Sequence, residues 1–362
     1  MTEPLRFCFL AERQVGIGSA AAALEGQVRD RTGVSWTDVT YVESGGLIER
    51  LPMLGRVGGT LRGFVQTGKA LRAGPFDALF FLTHNPAVLR QGAIGRTPTV
   101  LWTDVTPALL DAQAEQYAHA VDHAPVVRAL KHALVRRTFR RAAFSVGWSD
   151  WARRSFVNDY GVDETKTAVV PPGIDLLRWT MPARSANSSR PRLLFVGGDF
   201  ARKGGDLLLA VFREHLRGRC ELDIVTRDAV REEDGVSVHR GLSAGSPSLL
   251  ALYRAASAFV LPTRGDCFSI ASLEAMAMGL PVVVSAVGGI SEIVDSGRTG
   301  YLIEPGDGRA LRESLEPLIS DPSRAAAMGI AGRSRVEQHF DAKNTAARIL
   351  ALLGSAARPS RG

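Results

Sequence analysis

Residues 258–286, "AFVLPTRGDCFSIASLEAMAMGLPVVVSA", decide the fold class, because they read as a strand, a loop, a helix and a second strand. Ser269 can cap the start of the helix, Gly279 suits the position just after its end, and Pro281 prevents the helix from continuing. Short apolar strands that alternate with helices indicate a parallel sheet covered on both faces.

The helix of this stretch carries a carboxylate, Glu274, on a surface that is otherwise apolar nearly all round. A buried carboxylate without a partner costs several kcal/mol or takes up a proton, so something must meet Glu274. The partner is either an arginine from elsewhere in the fold or the hydroxyl groups of a bound ligand. The helix alone leaves both possibilities open.

The same alternation of strands and helices runs through both halves of the 362-residue chain. It is interrupted by a region rich in Pro, Ser and Arg without periodicity, which indicates a linker. We therefore predict an α/β protein with two doubly wound sheets and a ligand site beyond the carboxyl ends of the strands. The predicted segments are an N-terminal domain at 1–175, a linker at 176–190, a C-terminal domain at 191–338, and a last helix with its tail at 339–362. One predicted helix of the first half covers residues 108–121, "ALLDAQAEQYAHAV".

Composition excludes several classes of protein. Apolar residues make up 45% of the chain and charged residues 22%, and no run of about 18 apolar residues could cross a membrane. Cys8, Cys220 and Cys267 lie far apart and offer neither a disulfide framework nor a metal-binding spacing. A net charge of +7 suits an anionic ligand and does not indicate nucleic-acid binding. We expect a cytoplasmic protein without a signal peptide.

The loop in residues 195–206, "FVGGDFARKGGD", suggests an anion site. Gly197 and Gly198 end a strand and allow a ligand to approach the backbone, and Arg202 and Lys203 then supply two cations. The alternative is a solvated basic turn. The position of the loop on the ligand edge of the sheet favours the anion site.

A second anion site is predicted at the start of the helix that carries Glu274. There the backbone amides of Phe268, Ser269 and Ile270 should lack partners and carry the positive end of the helix dipole. Asp266 and Glu274 would accept hydrogen bonds from hydroxyl groups on either side of the anion. Two carboxylates, a helix start and a basic loop together describe a nucleotide sugar, with one acid on the ribose and the other on the sugar.

These motifs resemble the GT4 family of glycosyltransferases. The stretch "RGDCFSIASLEAMAMGLPVVVSAVGGISEIVDSGRTGYLIEPGD" resembles the family's donor-binding segment with its E-x7-E pattern, and "LLFVGGDFARKGGDLLL" resembles its diphosphate loop. "FSVGWSDWARRSFVNDYGVDETKTAVVPPGID" is similar to the family's approach to the linker, and the resemblance is strongest over residues 191–307. It implies a GT-B fold, in which two Rossmann-like domains face each other across a cleft. By this resemblance we expect the last helix, in residues 339–362, to return to the first domain. It also implies sugar transfer with retention of configuration and without a metal or other cofactor.

The resemblance also implies roles for individual residues. Glu274 would hold the ribose, Asp266 would face the donor sugar, and Arg202 and Lys203 would stabilise the departing diphosphate. Two departures from the family pattern are Asp266 in place of a glutamate and Gly198 in place of a common arginine. The predicted catalytic residues are Arg202, Lys203, Asp266 and Asp104. The predicted donor-binding residues are Gly197, Gly198, Arg202, Lys203, Asp266, Cys267, Phe268, Ser269, Ile270 and Glu274.

The first half offers weaker candidates for the acceptor site. Gly16 and Gly18 follow the first strand and could form a loop beneath the acceptor. Asp104 either lines the cleft or serves a turn, and His84, also a candidate for the acceptor site, is more readily explained as structural than as catalytic. "GIGSAA" with Asp38 also fits a loose dinucleotide pattern of a nicotinamide dehydrogenase. That match is weak, because several residues separate the strand from the first glycine.

A basic helical stretch, "VVRALKHALVRRTFRRAAF", allows two interpretations: contact with the inner face of a membrane, or an ordinary solvated helix surface, which we favour. For the whole chain, the leading hypothesis is a retaining glycosyltransferase. It would move a sugar from a nucleotide-diphosphate sugar to a hydroxyl acceptor on a glycan, a lipid-linked molecule or a small molecule. The alternatives are a nucleotide-sugar epimerase of similar fold and a non-catalytic nucleotide-sugar-binding protein.

Overall fold

The computed structural model describes residues 4–13, 16–41, 56–118, 124–182 and 190–358, with the backbone alone at 56–59. The chain forms two units. The first comprises Met1–Ala112, Ala120–Gly173 and Ala342–Gly362, and the second comprises Gln113–His119 and Ile174–Asp341. These bounds differ from the predicted ones, since residues 176–182 of the predicted linker lie in the second unit and 183–189 lie outside the described residues.

The first unit is built on a six-stranded parallel sheet with the strand order β2-β1-β3-β4-β5-β6. The order of the strands reverses between β1 and β3, which are hydrogen-bonded neighbours. The strands are β1 (Phe7–Glu12), β2 (Val34–Val39), β3 (Ala78–Leu82), β4 (Thr99–Thr103), β5 (Phe144–Gly147) and β6 (Thr167–Val169). The helices are α1 (Gly18–Val28), α2 (Arg56–Leu71), α3 (Asn85–Val88), α4 (Gln91–Ile94), α5 (Pro107–Ala112), α6 (Pro125–Arg141), α7 (Asp150–Asn158) and, from the end of the chain, α13 (Ala342–Ala357).

The second unit is built on another six-stranded parallel sheet, with the order β12-β11-β10-β7-β8-β9. Here the order reverses between β7 and β10, which also pair directly. The strands are β7 (Arg192–Val196), β8 (Glu221–Val225), β9 (Val236–His239), β10 (Ala258–Leu261), β11 (Val282–Ser285) and β12 (Gly300–Ile303). The helices are α8 (Gly205–Val211), α9 (Pro247–Ala255), α10 (Ile270–Ala277), α11 (Gly308–Ser320) and α12 (Pro322–His339). The predicted α/β class with two doubly wound sheets is confirmed.

The central strands are apolar because helices cover both faces of each sheet. In the first unit, Phe9, Phe80 and Trp102 are fully buried and form a row of ring contacts across neighbouring strands. In the second unit, every residue of β10 and β11 is buried. Two rigid sheets of this kind fix the positions of the loops at their carboxyl ends.

The ends of α10 are fixed by the residues that the sequence singled out. The Ser269 hydroxyl accepts a hydrogen bond from the Ser272 amide at 3.2 Å. At the other end, Gly279 has a φ of 70°, and the Leu280 amide donates to the Ala275 carbonyl at 3.0 Å. This is a Schellman motif, which needs a residue that tolerates the left-handed region. The predicted helix boundaries are confirmed.

The predicted helix over residues 108–121 is wrong for residues 113–118, and residues 119–121 lie outside the described residues. Helix α5 ends at Ala112, and residues 113–118 form consecutive turns. The physical reason is that tertiary contacts override helix propensity here, because this segment packs on loops of the second unit. Across the described ranges, no helix combines the length and the apolar character that crossing a bilayer would require.

Candidate active site

The two loops that follow β7 and β10 meet at the point where the strand order of the second sheet reverses. In open α/β sheets this is the position where ligands bind. Lys203, from the loop after β7, forms an ion pair with Asp266, from the loop after β10. The two side chains are only 17% and 8% exposed. The structure therefore brings together the cation and the acid that the sequence assigned to the same site.

Arg202 is held beside this pair by several contacts. Its Nη1 donates to the Gly265 carbonyl at 2.8 Å, and its Nε contacts Asp199 Oδ2 at 3.2 Å. Gly204, with a φ of 76°, lets the loop pass close to β10, since a Cβ there would lie 1.9 Å from the Pro262 carbonyl oxygen. The basic loop is thus held by contacts with the loop after β10 and is not simply a solvated turn.

The carboxylate of Asp266 is occupied by protein groups on both of its oxygens. Oδ1 accepts the Cys267 amide at 3.0 Å, and Oδ2 meets Lys203. Directly afterwards, Ser269 begins α10, whose first amides carry the positive end of the helix dipole. Cations and a helix start therefore converge on one small region, which is the arrangement that binds diphosphates in proteins.

Glu274 is buried on α10, with 5% of its surface exposed. No lysine or arginine of the described residues forms an ion pair with it. Instead the Tyr253 hydroxyl donates to Oε2 at 3.1 Å, and Oε1 has no hydrogen-bond partner within the described ranges. Burial raises the pKa of Glu274 to about 8, against the lowering effects of the Tyr253 hydrogen bond and the Arg178 charge. The carboxyl group thus keeps one oxygen available for an incoming hydroxyl group.

Arg227, two residues beyond the end of β8, was not identified from the sequence. Its Nε donates to the Gly198 carbonyl at 3.3 Å, and a Cβ at position 198 would lie 2.9 Å from the same Nε. The guanidinium therefore lies where a side chain at position 198 would begin. The sequence feature that could have identified Arg227 is a basic residue just past an apolar strand, at the ligand edge of the sheet.

The candidates from the first half lie in the first unit. Asp104 directly follows β4, and its Oδ1 lies 3.4 Å from the Thr103 hydroxyl. His84 is buried, packs on Phe139 and has no partner for Nδ1 within the described ranges. Burial lowers the pKa of His84 to about 4, so the ring is neutral near pH 7. Gly16 and Gly18 lie at the start of α1, where a Cβ at either position would meet no atom within 4 Å.

A buried acid that the sequence analysis missed is Glu12, the last residue of β1. It has no exposed surface and accepts hydrogen bonds from the Thr83 hydroxyl and the Asn85 amide. Thr83 has a φ of 70°, an unusual conformation for a β-branched residue. This cluster lies at the carboxyl ends of β1 and β3, where the strand order of the first sheet reverses. The sequence feature that could have identified Glu12 is an acid at the end of an apolar strand.

Among the residues that the structure describes, no group of three or more His, Cys, Asp or Glu side chains could hold a metal ion.

The second unit also matches a known family. Residues 190–321 fit a family model described as glycosyl transferases group 1. The chain carries a glycosyl transferases group 1 domain. This domain contains both loops of the candidate site and α10 with Glu274.

Curated proteins that resemble the chain are named glycosyltransferases. The D-inositol 3-phosphate glycosyltransferase of Kineococcus radiotolerans is 33% identical over 226 residues, which cover 52% of each protein. The chain spans about half the length of the curated relatives it matches.

Solved structures resemble the fold over nearly the whole chain. Sucrose-phosphate synthase from Thermosynechococcus elongatus superposes with a TM-score of 0.77 at 16% identity, covering 97% of this chain and 99% of that one. The Anabaena protein HepE, in complex with UDP, has a TM-score of 0.71 at 16% identity and coverages of 97% and 100%. These likenesses show the fold, which is the GT-B fold that the sequence resemblance implied.

Proposed function

We propose that the protein is a retaining glycosyltransferase that moves a sugar from a nucleotide-diphosphate sugar to a hydroxyl acceptor. One observation carries the proposal. The reversal point of the second sheet combines the Lys203–Asp266 pair, the start of α10 and the buried Glu274 on that same helix. A basic anion site next to an acid with an available oxygen matches a diphosphate linked to a ribose.

In this proposal each group has a separate task. Glu274 accepts hydrogen bonds from the ribose hydroxyl groups, and the amides at the start of α10 bind the diphosphate together with Arg202 and Lys203. Charge develops on the diphosphate as the bond to the sugar breaks, and positioned cations stabilise that charge in the transition state. Donor binding releases Lys203 from Asp266, which can then face the sugar. Asp104 lies near the acceptor, and the reaction needs no metal ion.

The comparisons support the general class of activity. The matched family is glycosyl transferases group 1, and HepE has been solved with UDP and with UDP-glucose. A nucleotide sugar is the donor that this class of protein suggests for the present site. We place the protein in the cytoplasm, because its three cysteines are thiols, a state that a reducing compartment preserves.

A screen of donors tests the proposal. UDP-glucose, GDP-mannose and ADP-glucose are added to the full chain, and its melting temperature is measured with and without EDTA. A ligand at 100 times its Kd stabilises the folded state by about 2.7 kcal/mol, which is readily visible. We expect one donor to raise the melting temperature in both conditions and to be consumed when cell extract supplies acceptors, with the α-anomer retained in the product by NMR.

The other outcomes separate the alternatives. Conversion of the donor into its epimer without an acceptor would indicate an epimerase. Binding without any consumption of the donor would indicate a non-catalytic binding protein. If none of the three donors changes the melting temperature, the proposed site is wrong.

We also propose a peripheral contact between α6 and an anionic membrane surface. The helix carries six cationic side chains and no acid. Its first half is exposed on all sides, and Val126 and Leu130 are 80% and 70% exposed on one face. Exposed apolar side chains near the start of α6 can enter the lipid, and the cationic side chains along the helix can bind acidic lipid head groups. This exposure favours the membrane interpretation over the solvated surface that the sequence alone favoured.

A further inference from the structure

Residues 113–118 lie on the candidate donor site, although they come from the middle of the first half of the chain. Gln116 packs so closely on Gly265 that a Cβ at position 265 would lie 2.7 Å from the Gln116 Cβ. The Tyr117 hydroxyl lies 3.3 Å from Cys267 Sγ. Both contacts fall on the loop that carries Asp266.

Tyr117 also contacts the basic loop. The guanidinium carbon of Arg202 lies 4.4 Å from the centroid of the Tyr117 ring. This is a cation–π contact, which uses the flat face of the guanidinium and leaves its N–H edge available. A single side chain therefore touches both loops of the site.

The contacts of Arg202 leave one edge of its guanidinium for an anion. Nε meets Asp199, Nη1 donates to the Gly265 carbonyl, and one face lies on the Tyr117 ring. Nη2 has no acceptor within the described ranges. Because arginine carries five N–H donors in a planar fork, this arrangement presents donors in a fixed direction for the oxygens of a diphosphate.

The local sequence gives independent support. The sequence of residues 108–121 predicts a helix, yet residues 113–118 adopt turns. A segment that abandons its local preference does so because its tertiary contacts outweigh that preference. Those contacts are the ones to Gly265, Cys267 and Arg202.

We propose that Tyr117 is a positioning residue of the donor site, which holds the Arg202 guanidinium in the orientation that binds the diphosphate. This inference rests on the proposed function. The ring acts through Arg202 and not on the donor. Removing the ring takes away one of the three contacts that orient the guanidinium, and we expect donor binding to weaken by about 3- to 30-fold, the range of a cation–π contact.

The test uses the full chain and isothermal titration with UDP-glucose, GDP-mannose or ADP-glucose, whichever stabilises the wild type. Tyr117→Phe keeps the ring and removes the hydroxyl, so its Kd should stay within about twofold of wild type. Tyr117→Leu removes the ring and should bind the donor about 3- to 30-fold more weakly. In an Arg202→Ala background, Tyr117→Leu should have no further effect, because both changes remove the same interaction.

The nucleoside alone provides a control, since its binding involves no phosphate. Tyr117→Leu should leave the Kd for that nucleoside unchanged. A general loss of structure would weaken both ligands. If the leucine variant does not fold, Tyr117→Met supplies the same comparison.

The outcomes distinguish the role of Tyr117 from the proposed function of the protein. If the wild type binds a donor and Tyr117→Leu binds it equally or more tightly, or if the effects of Tyr117→Leu and Arg202→Ala add, the role of Tyr117 is overturned and the proposed function stands. If the wild type binds none of the three donors, the proposed function fails and this inference fails with it.

Discussion

Replacing Glu274 with glutamine is expected to remove a pH dependence from donor binding. The pKa of Glu274 is raised to about 8, because the carboxyl group is buried. In the proposed complex, ribose hydroxyl groups donate to this carboxylate, and hydrogen bonds to the ionised form lower the pKa. Binding of the donor therefore releases a proton at pH values between the lowered pKa of the complex and about 8.

The size of the effect follows from that pKa. The fraction of ionised Glu274 falls tenfold with each pH unit below 8, so Kd should rise by about tenfold per unit, or about 1.4 kcal/mol. Between pH 8.5 and pH 6 the donor should bind about 100-fold more weakly. This is an upper limit, because a protonated carboxyl group still accepts a hydrogen bond on its carbonyl oxygen.

Isothermal titration across pH 6 to 8.5 measures the change in Kd. Repeating the titration in two buffers of different ionisation enthalpy counts the protons released, and we expect nearly one below pH 7. Glu274→Gln keeps an acceptor for the Tyr253 hydroxyl but cannot ionise, so its Kd should be flat. His84 does not interfere, since burial lowers its pKa to about 4. A wild-type Kd that does not vary with pH, or a glutamine variant with the same slope, would refute the reasoning.

Four further predictions concern other parts of the molecule. The free energy of unfolding should fall between about pH 4.5 and pH 8, by at most roughly 5 kcal/mol, because the unfolded Glu274 carboxyl loses its proton before the folded one; chemical denaturation should find that Glu274→Gln lacks this loss. Lys203→Ala should lower kcat more than donor affinity, and equal losses in steady-state and binding assays would contradict its role on the departing diphosphate. Arg227→Ala should weaken donor binding by about 10- to 150-fold, as expected for one charge-assisted hydrogen bond, whereas Arg231→Ala on the same exposed loop should not. Leu130→Ser should reduce co-sedimentation with anionic vesicles, with Leu177→Ser, another highly exposed leucine, as the control; equal binding by all three proteins would remove α6 from the proposed membrane contact.

Local features of the donor site could be predicted from the sequence. The caps of α10 and the end of β7 before Gly197 depend on neighbouring residues, and the structure agrees with both predictions. The alternation of strands and helices also predicted two parallel sheets. These are short-range effects, for which glycine, proline and capping residues carry strong signals.

Contacts between distant residues could not be predicted. The sequence required a partner for Glu274 but suggested an arginine or a ligand, and the structure supplies the Tyr253 hydroxyl from another helix. Nothing local indicates that Arg227 would lie against Gly198 or that Tyr117 would contact Arg202. Such pairs depend on strand order and on the paths of loops, which the periodicity of a single sequence does not encode.

The position of α13 determines when the first unit can complete its folding during synthesis. This helix packs on α1, β3 and β4, and the Thr345 hydroxyl donates to the Pro171 carbonyl at 3.0 Å. Residues 342–358 leave the ribosome after all of the second unit, so that unit can fold first while the sheet of the first unit waits for its last covering helix. Until α13 has been synthesised and has docked, the apolar surface beneath Ile349 and Leu353 is exposed and offers a binding site for chaperones.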